Sequence, residues 1–413
     1  SLIGLLLPVA GGTRAARGAS LAALFACAAA GLLLAGRRNR WRGSFLLAAA
    51  AIFLALSPWI LPLFAFLGAP AWSLGRGIPL LLFALKGASA VPAVAFPAAC
   101  LGAAFVVLSR EQGWEGAARR PRALRLALLA AGASLGTAVA GFRLLPWGGE
   151  RSAALAGSIV LLAAAVLSEA ARRGAGGAEG AGPSEGSRIA GSSRLAGWAA
   201  LLWGFAAAAL LFGWDRILGL VFGPFPESMS RTAGVFLAGC ALGAVAHLLA
   251  EGPSKPGSAA IPLLASLAGI VSAGTLYLAD RLPGIYLSFA PLSESAPFSF
   301  ALRSWGLAAL LVLPAGIGFG ALLPLLAEGG RGRAGEEPEG WMVRVLTGGL
   351  LAAVVAPAWL VPHLGFRSAI VAACSLILAF SGVALAFSFQ ASRLLRAAGI
   401  LAAGSAILFL VLG

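Results

Sequence analysis

The chain has 413 residues, of which 60% are hydrophobic and only 11% charged, and its mean hydropathy is +0.93. That balance excludes a soluble globular protein, whose surface needs far more polar side chains. The formal charge of +15 comes from arginines and two lysines spread through short loops, not gathered with aromatics into a groove, so nucleic acid is excluded as a partner.

A short apolar piece covers residues 1–10, and apolar spans follow at about 17–35, 44–68, 78–108, 123–146 and 152–171. Each is long enough to cross a hydrocarbon layer roughly 30 Å thick. Lipid offers backbone groups no partners, so a spanning segment is a helix or part of a closed barrel. A barrel requires strict apolar–polar alternation, which residues 153–167 lack. Residues 172–194, rich in Gly, Ala, Ser and Glu without apolar periodicity, read as a flexible linker. Spans then resume at about 195–223, 233–250, 259–280, 301–327, 342–362 and 366–389, with a last one at 397–413. The lipid bilayer is the expected environment.

Loop charge orients the chain. With the Arg37, Arg38, Arg40 and Arg42 loop in the cytoplasm, counting spans puts Arg110 to Arg122, the linker, Lys255, Arg331, Arg333, Arg393 and Arg396 on the same side. Those loops hold about 17 basic residues against about seven opposite, a consistent positive-inside bias. The linker 172–194 is therefore predicted to be cytoplasmic. Ser1 is not a methionine, and the first half has only residues 1–10 where the second opens with a complete helix. The native protein is accordingly expected to extend before Ser1.

The halves also match each other. Gly132, Gly136, Gly141, Pro146 and Gly149 recur at identical spacings in the second half as Gly348, Ala352, Pro357, Pro362 and Gly365. Upstream, Pro97, Gly102, Ala103 and Phe105 parallel Pro314, Gly320, Ala321 and Leu323 to within two residues, and Lys86 and Arg303 lie equally far ahead of the corresponding prolines. The predicted fold is an all-α polytopic membrane protein, a major-facilitator-like bundle of two six-helix repeats. The first repeat is 1–171, with its first helix largely missing, and the second is 195–389. Residues 390–413 add one more transmembrane helix. In parallel repeats of this kind a substrate site lies between the halves, near the midplane.

The second half resembles the membrane domain fused to spermidine synthases in many bacteria, a fused major-facilitator and spermidine-synthase family. The resemblance runs through Gly204, Phe205, Trp214, Arg216, Leu218 and Gly223, then residues 236–243. It continues in Pro314, Gly320, Ala321, residues 324–326, residues 360–362 and Gly365, and the first half carries residues 132–146 in the same pattern. It implies a transport-type domain of the bacterial cytoplasmic membrane, a small solute such as a polyamine, and a soluble synthase-like domain or other membrane subunits as partners. Family members carry a glutamate one turn before the tryptophan–arginine pair, where this chain has Leu211. They carry an asparagine before the glycine repeat, where it has Leu129 and Val345. No glycine-rich nucleotide loop after a strand is present for aminopropyl transfer, so an enzyme is not expected. The rival reading is a non-transporting scaffold or accessory subunit of a larger membrane complex.

Among candidate residues, Asp215 and Arg216, beside Trp214, lie well inside an apolar run, where a charge costs several kcal/mol unless paired or hydrated. They form either part of a cation or proton site or an inter-helix bridge. Asp215 lies four residues after Leu211 and shares its helix face, so it is expected to point at protein or water and to carry any coupling. Lys86 and Arg303 either face an internal cavity or snorkel to an interface. The pairs Gly132 with Gly136, Gly219 with Gly223, Gly239 with Gly243, and Gly316 with Gly320 have the four-residue spacing that lets helices approach closely. Residues 132–136 also spell a nucleophile elbow, but Ser134 sits mid-span in an alanine-rich helix, not at a strand-to-helix turn. Cys27, Cys100, Cys240 and Cys374 are isolated in apolar runs and read as packing residues. With His247 and His363 the only histidines, no catalytic residue, metal or cofactor is expected.

Overall fold

A computed structural model of the chain describes residues 14–37, 43–57, 98–104, 107, 119–139, 155–156, 158–166, 193–223, 226–250, 260–329, 340–386, 397 and 404. In chain order they form α1 (Arg14–Arg37), α2 (Gly43–Ser57), α3 (98–104), α4 (Arg119–Val139) and α5 (158–166). The second half follows with α6 (Ser193–Phe222), α7 (Pro226–Ala250), α8 (Ala260–Ala279), α9 (Leu282–Phe289) and α10 (Leu292–Ser295). It ends with α11 (Pro297–Gly329), α12 (Gly340–Val355), a π-helical turn (Ala356–Leu360) and α13 (Val361–Ala386). Among the described residues there is no strand, and the fold is all-α and polytopic. Among the described residues, four stretches are long and apolar enough to cross a membrane: Gly197–Phe222, Ser228–Leu249, Phe298–Pro324 and Gly365–Val383. Leu263–Ala279 and Leu282–Phe289, bent by 59° at the break between them, are together long and apolar enough to form a broken span or a re-entrant loop. Lys86, most of the linker 172–194 and nearly all of the predicted last span fall outside the described residues.

Glycine decides how these helices meet. Gly239 and Gly243 on α7 face Gly316 and Gly320 on α11. A Cβ on Gly243 would run into the Ile317 carbonyl, one on Gly320 into the Cys240 carbonyl, and one on Gly316 would lie 3.0 Å from the Gly239 Cα. With no hydrophobic drive between helices in lipid, such backbone proximity supplies the dispersion contact that side chains give elsewhere. Alongside, Trp203, Phe236 and Phe319 fill the centre of α6, α7 and α11, with the Trp203 and Phe319 ring centroids 3.9 Å apart.

The first half repeats the glycine contact. A Cβ on Gly31 of α1 would run into the Ala99 carbonyl of α3, and one on Gly102 into the Ala28 carbonyl. Ala28 and Gly31 are spaced on α1 as Cys240 and Gly243 are on α7, and Ala99 and Gly102 on α3 as Ile317 and Gly320 are on α11. The two contacts therefore coincide residue for residue. Between the halves, α1 packs on α12 and α4 packs on α7. In sequence α1 corresponds to α7 and α4 to α12, so each inter-half contact is the image of the other. The Ser134 hydroxyl of α4 donates to the Gly234 carbonyl of α7 at 2.8 Å, and Gly349 of α12 sits against the Phe25 ring of α1.

Three places carry further detail. A Cβ on Gly132 or Gly136 would meet nothing within 4 Å among the described residues, and α4 reaches α7 through Ser134 and Thr137. Gly223 ends α6 in a left-handed conformation with φ of 93°, the geometry of a glycine closing a helix. Residues 281–300, between the predicted spans, contain α9, α10 and the start of α11; Pro283 occupies the first turn of α9, where its missing N–H costs nothing.

Candidate functional site

The candidate site is built from the ends of α6, α7, α8 and α11 that meet under α9. Aromatic rings tie these ends together. Tyr286 of α9 lies 5.4 Å from Phe222 at the end of α6, 5.5 Å from Phe289 and 6.1 Å from Phe300 at the start of α11, mostly edge to face. The Arg231 guanidinium of α7 stands over the Phe222 ring at 5.3 Å, a cation–π contact.

Beneath these rings lies a polar layer. Asp215 is only 3% exposed and Trp214 1%, so neither faces lipid. Asp215 stands about two turns, or roughly 10 Å, inside Phe222 and on the same face of α6. At the matching end of α7, Ser228, Ser230 and Thr232 are buried; on α8 Ser272 and Thr275 are buried, and on α11 Ser304. Several hydroxyls are satisfied within their own helices: Thr232 donates to the Ser228 carbonyl, Ser272 to Ala268, Thr275 to Ser272 and Ser304 to Ala301. This back-bonding is how hydroxyl side chains live inside an apolar helix. Trp214 Nε1 is buried and, among the described residues, meets no acceptor. Asp215, Arg216 and Arg231 each have an interaction partner.

Trp214, Asp215 and Arg216 thus lie toward the same end of the packed helices as Arg231, Ser228, Ser230 and Thr232. Those α7 residues were missed in the sequence because they read as polar flank ahead of the span. Only the buried alternation of 228, 230 and 232 with Arg231 over an aromatic ring shows them to be inside. Arg303 stands apart: it is exposed and lies near the start of the apolar stretch Phe298–Pro324. From there a long cation reaches an interface. Gly219 is buried within α6. At the rim, Arg367 of α13 donates to Asp280 at 3.2 Å, an exposed pair between α13 and the turn after α8.

A multi-pass α-helical membrane protein is the class that these apolar helices and their interior charges define. No protein-family model matches the chain, and no curated protein sequence does either.

Proposed function

We propose that this chain is a transport-type membrane domain, related to the spermidine-synthase-associated family it resembles. It moves a small solute across the bacterial cytoplasmic membrane by motion of one half against the other, with the linker 172–194 in the cytoplasm. The observation that carries this reading is the pair of mirrored inter-half contacts, α1 on α12 and α4 on α7, flanked by the duplicated glycine contacts. Parallel repeats related by an axis along the membrane normal are the layout of alternating-access carriers. A buried acid such as Asp215 is the residue that an intramembrane cation or proton pathway requires. The substrate class is a small cation such as a polyamine, and a soluble synthase-like domain is the expected partner.

A second reading is a scaffold subunit that holds other membrane chains and moves nothing. The aromatic filling around Phe319 favours it, because a packed centre leaves no path through the second half alone. Uptake by purified protein in liposomes separates the two. A panel led by labelled spermidine, with other small cations and amino acids, should show saturable, gradient-dependent uptake of at least one solute, lost in Asp215→Asn. No uptake of any, together with stable co-purification of a second membrane subunit, makes the chain a scaffold.

A further inference from the structure

The halves meet along two seams, α4 on α7 and α1 on α12, and the sequence match between the halves pairs these seams position by position. Ser134 and Thr137 of α4 stand where α12 has Leu350 and Ala353, and Gly234 of α7 stands where α1 has Ala22. The same three places hold different chemistry. At the α4–α7 seam the Ser134 hydroxyl donates to the Gly234 carbonyl at 2.8 Å. A Cβ on Gly234 would lie 2.8 Å from the Thr137 hydroxyl oxygen and 3.2 Å from the Trp305 ring of α11. The α7 backbone is thus wedged between α4 and α11 and tied to α4. At the α1–α12 seam, Ala22 and Ala353 share one buried apolar cluster with Ala356 and Leu360. Beside them the Phe25 ring rests against Gly349. Leu350, in the place of Ser134, has no hydroxyl to donate.

The α1–α12 seam also holds a place to bend. Ala356 and Leu360 bound the π-helical turn at the end of α12, which packs on α1 and contains Pro357. Pro362 follows, and Gly365 takes a φ of 79°, outside the helical range. Each proline removes a backbone donor from the helical ladder, and π turns inside helices recur where helices change shape for function. The two seams therefore differ in what parting them costs. Separating α4 from α7 takes the Ser134 hydroxyl from its acceptor in a medium that offers no other. Separating α1 from α12 exchanges apolar neighbours for lipid tails that are equally apolar. We propose that the α4–α7 seam is the fixed pivot between the halves and that the α1–α12 seam is the one that opens, by bending of α12 over Ala356–Gly365. This rests on the proposed movement of one half against the other and gives that movement its direction.

Spin labels on paired cysteines, in a background lacking the native four, read this motion without an uptake assay. Leu135 with Val245 spans α4 and α7, and Leu351 with Leu33 spans α12 and α1; all four side chains are exposed, and the two pairs match each other in sequence. Distances are measured by electron–electron double resonance in lipid nanodiscs, in acidic and in alkaline buffer. The Leu135–Val245 pair should give one narrow distribution in both buffers, and the Leu33–Leu351 pair a broad or two-peaked one. Ser134→Ala should widen the first distribution and leave the second unchanged. Pro357→Ala, which returns a donor to the helix, should narrow the second and leave the first unchanged. A Leu135–Val245 distribution as broad as the other, or a Ser134→Ala variant that alters neither, overturns the proposal. Equal broad distributions with uptake intact leave the transport reading standing, whereas two narrow ones in both buffers count against that reading as well.

Discussion

At the scale of single residues, two kinds of position carry the structure, and they respond to substitution in opposite ways. Gly320 is pressed against the Cys240 carbonyl, so any side chain there forces α7 and α11 apart. Overpacking of this kind costs about 1–3 kcal/mol, and Gly320→Leu should lower the melting temperature in detergent accordingly. Gly306 on the same helix has open space around it among the described residues, and Gly306→Ala should be neutral or stabilising by up to about 1 kcal/mol, the helix-propensity gain. Equal losses at both positions would mean that the α7–α11 approach is not what holds the pair. The proposed function gives Asp215, buried in α6, a role of a different kind. Asp215→Asn keeps the shape of the side chain and removes its charge, so uptake should vanish while the melting temperature stays close to that of the wild type. A melting temperature that falls in step with activity would assign Asp215 to an inter-helix bridge.

At the scale of elements, the helices of the second half were legible in the sequence because a long apolar run without alternation is helical in lipid. The ends were less legible. Glu227, Ser228, Ser230, Arg231 and Thr232 read as a polar loop, yet they open α7, and three of them are buried. Between the predicted spans 259–280 and 301–327, a 59° bend follows α8, but helix resumes at once in α9. Four-residue glycine pairs were legible as spelling only. Gly239 with Gly243 and Gly316 with Gly320 find each other, whereas Gly132 and Gly136, spelled the same way, touch nothing among the described residues. Spelling shows that a helix can approach and does not name the helix. The layer around Asp215 was half legible: an acid inside an apolar run announces itself, while Arg231 over Phe222 depends on tertiary contact. Where charges pair at the rim, little stability is at stake. The Arg367–Asp280 pair, with side chains 60% and 64% exposed, should contribute under about 1 kcal/mol. Arg367→Ala should therefore shift the melting temperature only slightly, and less still in high salt; a large, salt-independent loss would show that the pair anchors α13.

At the scale of the whole molecule, the duplicated packing of the described helices supports the proposed arrangement of two similar halves, and the arginine-rich loops predict that the linker lies on the cytoplasmic side. The orientation is open to direct test. Cysteines placed at Ser184 and Ser192, in a background lacking the native four, should resist impermeant thiol reagents in intact cells and react after permeabilisation. Ready labelling from outside would invert the topology and move the Asp215 layer to the cytoplasmic end. The duplication is the claim on which the functional reading depends, and an experimental structure in a lipid nanodisc tests it most directly. Rotation about an axis along the membrane normal should carry Gly31, Lys86 and Gly102 onto Gly243, Arg303 and Gly320 with Cα separations within one helical turn, about 5 Å. Halves that superpose only about an axis in the membrane plane, or Cα separations well beyond one turn, would contradict it.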